Sequence, residues 1–173
     1  MEFKKLAEER YSCRRFTDKK VDKELVNQII ETALKAPTAI NLQPFKIFII
    51  ESSEAKENIR KTTDFTFGAD TILIVGYKKD AGWTRIYDKR NFSDVDASIV
   101  ATHIMLQAHD LGLATTWVGH FDVNLLKEMY PVMEDYELIA LFPIGYADTN
   151  TNGGKPSAYH FTKKSKEELV EVL

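Results

Sequence analysis

Apolar residues recur at helical spacing over residues 21–34, where Leu25, Ile29 and Ala33 form one stripe beside Val26 and Ile30. Asp22 is placed to cap that helix. A shorter amphipathic turn at Phe3, Leu6 and Ala7 precedes it, and a polar helix is predicted over 53–62 with Ser53 near its cap. Continuous apolar runs at 45–51 and 71–77 read as strands. Residues 94–111 make the longest helix. Ala97, Val100, Ala101, Ile104, Ala108 and Leu111 line one stripe, and Ile99 and Leu106 add apolar surface on another side. A helix apolar on two sides is covered on two sides, here by its own sheet and, as the second cover, a partner subunit. A buried strand follows over 113–118, then a short helix over 123–130 and a last long strand over 136–146. Residues 148–157 are rich in Asn, Thr, Gly and Pro, and Gly153-Gly154 predicts an extended, non-globular stretch. Ser165 and Glu168 spell a capping box that opens a final helix running through Leu173.

Two connections carry more than punctuation. Pro37 biases Ala36 away from helical angles, so the preceding helix ends near there. Pro44 lacks a donor and suits the entrance of a strand. The segment between them is a tight, small-residue loop in which Thr38, Asn41 and Gln43 carry hydrogen-bonding side chains. The charged connection over 78–91, with Trp83, Arg85 and Tyr87, reads as a solvated loop, the alternative being a lid.

Composition changes the picture little. The chain has 173 residues, 44% of them apolar and 28% charged, which fits one domain over residues 1–173 with a core that hides roughly 70% of the unfolded surface. Lys and Arg total 23 against 26 Asp and Glu, a net charge of −3 that points to neither nucleic acid nor membrane. No apolar run is long enough to span a bilayer, and no signal-peptide layout opens the chain. The single cysteine, Cys13, rules out an internal disulfide and suits a reducing cytoplasm, and it reads as an inert small side chain.

Four short motifs stand in order along this pattern. They are Arg10-Tyr11-Ser12-Cys13-Arg14-Arg15-Phe16, then Ala36-Pro37-Thr38 with Asn41, Gln43, Pro44 and Phe45, then 112–121 (Gly-Leu-Ala-Thr-Thr-Trp-Val-Gly-His-Phe), then Pro143-Ile144-Gly145-Tyr146. Together they resemble the nitroreductase family of FMN-dependent NAD(P)H oxidoreductases, in its short-chain form, over nearly the whole chain. The resemblance implies an α+β fold: a mostly antiparallel central sheet flanked by helices, with a long central helix and an extended C-terminal tail. A doubly wound parallel sheet is the topological alternative, although the Gly-rich turn expected after its first strand is absent.

The resemblance also assigns roles. FMN carries a phosphate that favours guanidinium forks and a flat ring that favours an apolar slot. Arg10, Ser12 and Arg14 match the phosphate and flavin-edge binders, with Arg15 left exposed. Pro37, Thr38, Ala39 and Asn41 match the segment that reaches the flavin from the other subunit of a homodimer, while Gln43 holds that loop. Val118, Gly119 and His120 match the segment whose backbone lies by the reactive N5, with His120 a secondary candidate as proton donor. Where the family has a phosphate-binding arginine before its last helix, this chain has Lys163 and Lys164, either of which could stand in. The family's asparagine at the pyrimidine edge has no evident counterpart, and Asp64 and Thr66 are its neighbours in sequence. The implied activity takes electrons from NAD(P)H through FMN to a small flat acceptor such as a nitroaromatic or quinone, with no side chain required as acid or base. The rival readings are a flavin-sequestering dimer without turnover and a flavoenzyme reduced by a ferredoxin-like partner. His103 and His109 are six apart and share no helix face as zinc ligands would, and no phosphate-cradling or dinucleotide glycine motif is present.

Overall fold

In the computed structural model, which describes residues 2–173, the second apolar run becomes a central strand, β2 (Thr71–Lys78). It pairs antiparallel with β1 (Phe45–Ile50) on one side and β4 (Tyr136–Gly145) on the other, and β4 also takes β3 (Ala114–Thr115), giving the order β1-β2-β4-β3. Every ladder in the sheet is antiparallel, so the doubly wound parallel alternative is set aside. The pleat sends alternate side chains to opposite faces. Leu73 and Val75 join Ala140 and Phe142 beneath α2 (Lys23–Ala33) and α4 (Ser93–Asp110). Ile72 and Ile74 join Leu141 on the other face, with Ile59 of α3 (Ser53–Thr62) and Leu126 of α5 (Val123–Met129). A strand covered on both faces is apolar at nearly every position, which is why β2 shows no alternation in sequence. The fold is therefore α+β, as expected.

The local signals set most helix ends. Asp22 accepts from the Glu24 amide at the start of α2. Ser52, one residue before the expected cap, accepts from Ala55 in α3. α4 presses Ala97, Val100, Ala101, Ile104 and Ala108 onto the sheet, while Ile99 and Met105 are half-buried against the same core. Part of its second apolar side faces the chain's own α1 (Phe3–Glu9), where Leu106 and His103 share a groove with Phe3 and Leu6. The second cover thus comes at least partly from within the chain.

Three expectations need correction. The strand expected over 113–118 pairs as a ladder only at Ala114–Thr115. It meets β4 again in the same register at Val118, which exchanges hydrogen bonds with Leu141 (3.0 and 2.9 Å), leaving Thr116 and Trp117 unpaired between. Residues 148–157 are tightly folded: Asp148 N–H bonds Arg15 O at 3.1 Å, and Arg14 N–H bonds Gly153 O at 2.8 Å. The last helix, α7 (Lys166–Leu169), has its capping box but stops short of Leu173. Leu169, Val170, Val172 and Leu173 are exposed, and one turn without tertiary packing does not propagate. A further turn before it, α6 (Ala158–Phe161), was not foreseen. Residues 78–91 are largely exposed, as expected of a solvated loop, and are braced internally. A bridge between Thr84 and Asn91 closes a hairpin, Arg85 pairs with Asp88 and Arg90 with Asp94, and Trp83, Arg85 and Arg90 pack around Phe92.

Candidate active site

The chain leaves α1 at Arg10 and runs extended beside β3. Ser12 bridges Thr115, and the Cys13 amide bonds Thr115 O at 3.0 Å. Extended backbone alternates its side chains. Cys13 turns inward and is fully buried, with burial as the main influence pushing its thiol pKa up. Arg10, Ser12 and Arg14 turn the other way and line one wall of a cleft of about 200 Å³. The opposite wall is Ser157, Tyr159, His160 and Lys163. No carboxylate lines it, so three permanent or near-permanent cations face one another with no anion between them.

The double glycine brings these walls together. A Cβ at Gly154 would stand 1.9 Å from the Asp148 carbonyl oxygen, and one at Gly153 would stand 3.0 Å from Arg14 O. Gly153 lets the 148–157 segment pass close to 14–15, and Gly154 lets that segment fold back tightly on its own Asp148. The Tyr11 hydroxyl donates to Gly154 O at 2.7 Å, and burial pushes its phenol pKa up, which keeps it a donor.

Arg14 also lines a second cleft of about 180 Å³, with Phe65, Phe67, Thr116, Trp117, Val118, Gly119 and His120. This cleft opens where the β3 stretch leaves the ladder, so the gap at Thr116–Trp117 is what exposes the slot. Its walls are aromatic. Trp117 stands edge-on to Phe142 (5.2 Å), and His120 stands edge-on to Phe65 (5.4 Å). The Thr63 hydroxyl donates to His120 O at 2.7 Å and fixes the end of the turn. Gly119 has no atom within 4 Å of where a Cβ would be, so its backbone is open to a close approach.

The predicted residues therefore fall into three groups. Arg10, Ser12, Arg14 and Lys163 share the cation-lined cleft, and Val118, Gly119 and His120 share the aromatic slot, with Arg14 common to both. Lys164 is exposed and lines neither cleft. Pro37, Thr38, Ala39 and Asn41 lie apart from both. Their loop is a 3-10 turn held by Ala39 N–H on Asp96 Oδ1 (3.0 Å) and by Gln43, whose amide bonds Thr38 Oγ1 and whose side chain bonds Asn41 O. Ile40, Asn41 and Gln43 all have positive φ, a conformation costly for a β-branched residue such as the exposed Ile40. No residue of the 78–91 stretch lines either cleft.

Sequence reasoning missed Phe65, Phe67, Trp117 and His160. Near 64–66 the aromatic residues, not the polar ones, line the slot. Asp64 is exposed, Thr66 is buried, and the aromatics alternating with them line the slot. Residues 64–68 form a bend and a turn, with Phe67 at positive φ, so no strand or helix periodicity marks them in the sequence.

Comparison with known proteins places the chain. The model of the nitroreductase family matches residues 7–63 and 60–146. A nitroreductase family protein from Clostridium difficile 630 superposes with a TM-score of 0.89 at 34% identity, over 99% of this chain and 98% of that one. A structure from Exiguobacterium sibiricum 255-15, solved in complex with FMN, gives a TM-score of 0.83 at 21% identity over 100% and 98% of the two chains, a likeness of fold. A Methanothermobacter thermautotrophicus protein provisionally named NADH dehydrogenase/NAD(P)H nitroreductase is 26% identical over 148 residues, 82% of this chain and 75% of its own length. NADPH-dependent oxidoreductases of Staphylococcus aureus are longer, and the matched region is 60% of their length.

Proposed function

The chain belongs to the nitroreductase family, and on that premise we propose that it is an FMN-dependent oxidoreductase that takes electrons from NAD(P)H and passes them to a small flat acceptor such as a nitroaromatic or quinone. The observation that carries this reading is the meeting of a cation-lined cleft and an aromatic slot at Arg14. A phosphate dianion fits the first and a flat ring fits the second, and FMN has both on one linker. FMN-complexed and NAD(P)H-dependent relatives support the cofactor and the electron donor.

FMN, when bound, supplies the hydride chemistry itself. The chain's own residues bind and orient. Arg10, Arg14 and Lys163 neutralise the phosphate, and Ser12 adds a hydroxyl donor. Arg14 fixes the point where phosphate cleft and ring slot join. Gly119 lets backbone approach the ring, and Thr63 holds the adjoining His120 carbonyl so that the turn stays in place. Phe65, Phe67 and Trp117 exclude water from the ring's surroundings and offer flat surfaces to an acceptor.

We further propose that the working unit is a homodimer with flavin sites shared between subunits. Each cleft is smaller than the ~300–1,000 Å³ usual for a small-molecule site, as an incomplete site would be. The 37–41 loop is exposed, strained and held in shape by Asp96, yet serves neither cleft of its own chain. It is read as the partner's contribution. The chain works as one domain, and the buried, free Cys13 supports a reducing cytoplasm. No helix among the described residues is long and apolar enough to cross a membrane.

Steady-state oxidation of NADH and NADPH by the FMN-loaded protein, with a quinone as acceptor, tests the reading. Turnover with either nicotinamide supports it. FMN binding without turnover moves the protein to flavin sequestration, or, if reduced ferredoxin restores acceptor reduction, to a ferredoxin-fed enzyme.

A further inference from the structure

The cation-lined cleft holds a residue that the functional reading leaves without a role. Arg10 already directs Nη1 at Met105 Sδ (3.5 Å), and Arg14 directs Nη1 at Ser12 O (3.2 Å). Part of each guanidinium is therefore committed within the chain. On the opposite wall, Lys163 is exposed, and an ammonium on a four-carbon stem acts as a point charge with no fixed direction. Tyr159 is 87% exposed. His160 differs from both. It is half-buried, its ring set edge-on to Tyr11 (6.4 Å, 74°) and to Phe161 (4.9 Å, 83°). Tyr11 is itself pinned through its hydroxyl to Gly154 O. Among the described residues no group hydrogen-bonds the His160 ring nitrogens. An imidazole carries an N–H in either neutral tautomer and two when protonated, so a held imidazole can aim a donor at a bound anion.

We infer that His160 is the directional hydrogen-bond donor to the ligand's phosphate, with Lys163 beside it supplying charge. The pair splits between two side chains what a single guanidinium provides, namely positive charge and aimed N–H groups. The two aromatic contacts have a function in this account. They hold the ring so that little rotamer freedom is lost when the phosphate arrives. The inference rests on the phosphate reading of the cleft, and the test separates the two.

Equilibrium fluorescence titrations with FMN and with riboflavin, which lacks the phosphate, are run on wild type, His160→Phe and His160→Ala. His160→Phe keeps a ring against Tyr11 and Phe161 but has no N–H. His160→Ala checks whether the ring itself matters. The expected result is that wild type prefers FMN and that His160→Phe weakens FMN about 10- to 150-fold, the worth of a charged hydrogen bond, with riboflavin changed less than about twofold. His160→Phe binding FMN as wild type does, or losing both flavins equally, overturns the role of His160 and leaves the phosphate cleft standing. Equal affinity of wild type for FMN and riboflavin overturns the cleft assignment itself, and His160 with it.

Discussion

Substitution of Gly154 by alanine tests whether the site depends on the tight fold of the 148–157 segment, in which Gly154 lies against the Asp148 backbone. A methyl there would sit 1.9, 2.3 and 3.0 Å from the carbonyl oxygen, carbonyl carbon and amide nitrogen of Asp148. All three are backbone atoms, so no side-chain rotation relieves the clash and the segment has to move. Its hydrogen bonds from Tyr11 to Gly154 O and from Arg14 to Gly153 O stand in the way. Overpacking costs about 1–3 kcal/mol, and each lost hydrogen bond adds roughly 1 kcal/mol. For a chain of this size about 3 kcal/mol lowers Tm by roughly 6–12 °C. Displacing the segment also separates Ser157, His160 and Lys163 from Arg10 and Arg14. Thermal unfolding of the flavin-free protein and FMN titration are read together, with Gly119→Ala as the control for unfolding alone, because Gly119 borders the ring slot. Gly119 has no neighbour within 4 Å of a Cβ, so its Tm should move by no more than about 2 °C, the equivalent of ±0.5 kcal/mol. The expected Gly154→Ala protein melts early and binds FMN poorly. A Gly154→Ala protein with wild-type Tm and wild-type FMN affinity would refute the idea that this contact builds the cleft.

Other outcomes follow from the same geometry. Lys163→Ala should weaken FMN binding by roughly 1.5–3 kcal/mol while Lys163→Arg preserves or tightens it, and unchanged titrations for both would remove Lys163 from the site. The Cys13 thiol, fully buried and with its pKa pushed up, should resist iodoacetamide at pH 8 in the folded protein and react once denatured. Rapid alkylation of native protein, followed by mass spectrometry, would contradict that environment. A chain with Arg10 and Arg14 both changed to Ala, refolded with an Asn41→Trp chain, should give mixed dimers that bind one FMN with near-normal affinity, because one shared site collects both defects and the other neither. Verified mixed dimers that bind none would show each site to be built within one chain.

Much of the fold was legible because it rests on local rules. The Asp22 cap, the Ser165–Glu168 capping box and the stripe on α4 stand where the sequence puts them. What was illegible depends on approach between distant segments. Gly153-Gly154 looks like a flexible spacer in sequence, yet Gly153 packs on the distant Arg14 and Arg15 while Gly154 packs on Asp148, and only the tertiary structure shows this. The stretch over 113–118 reads as one continuous strand in sequence, but the ladder opens at Thr116–Trp117, a property of its partner β4 as much as of itself. Arg10, Ser12 and Arg14 were singled out by the family resemblance, and the extended segment that carries them turns all three into one cleft. His160 was not, since nothing in Tyr159-His160-Phe161 says that the ring will rest on Tyr11. The choice between Lys163 and Lys164 likewise waited on geometry, which brings only Lys163 into the cleft.

The central claim is that this chain accepts electrons from a nicotinamide on bound FMN and gives them to a flat acceptor. Anaerobic stopped-flow mixing of FMN-loaded protein with NADH or NADPH, followed by mixing with a quinone, measures both halves directly. The account predicts that the visible flavin absorbance bleaches with at least one nicotinamide, far faster than for free FMN, and returns when the quinone is added. Bound flavin that stays oxidised with both nicotinamides would contradict it.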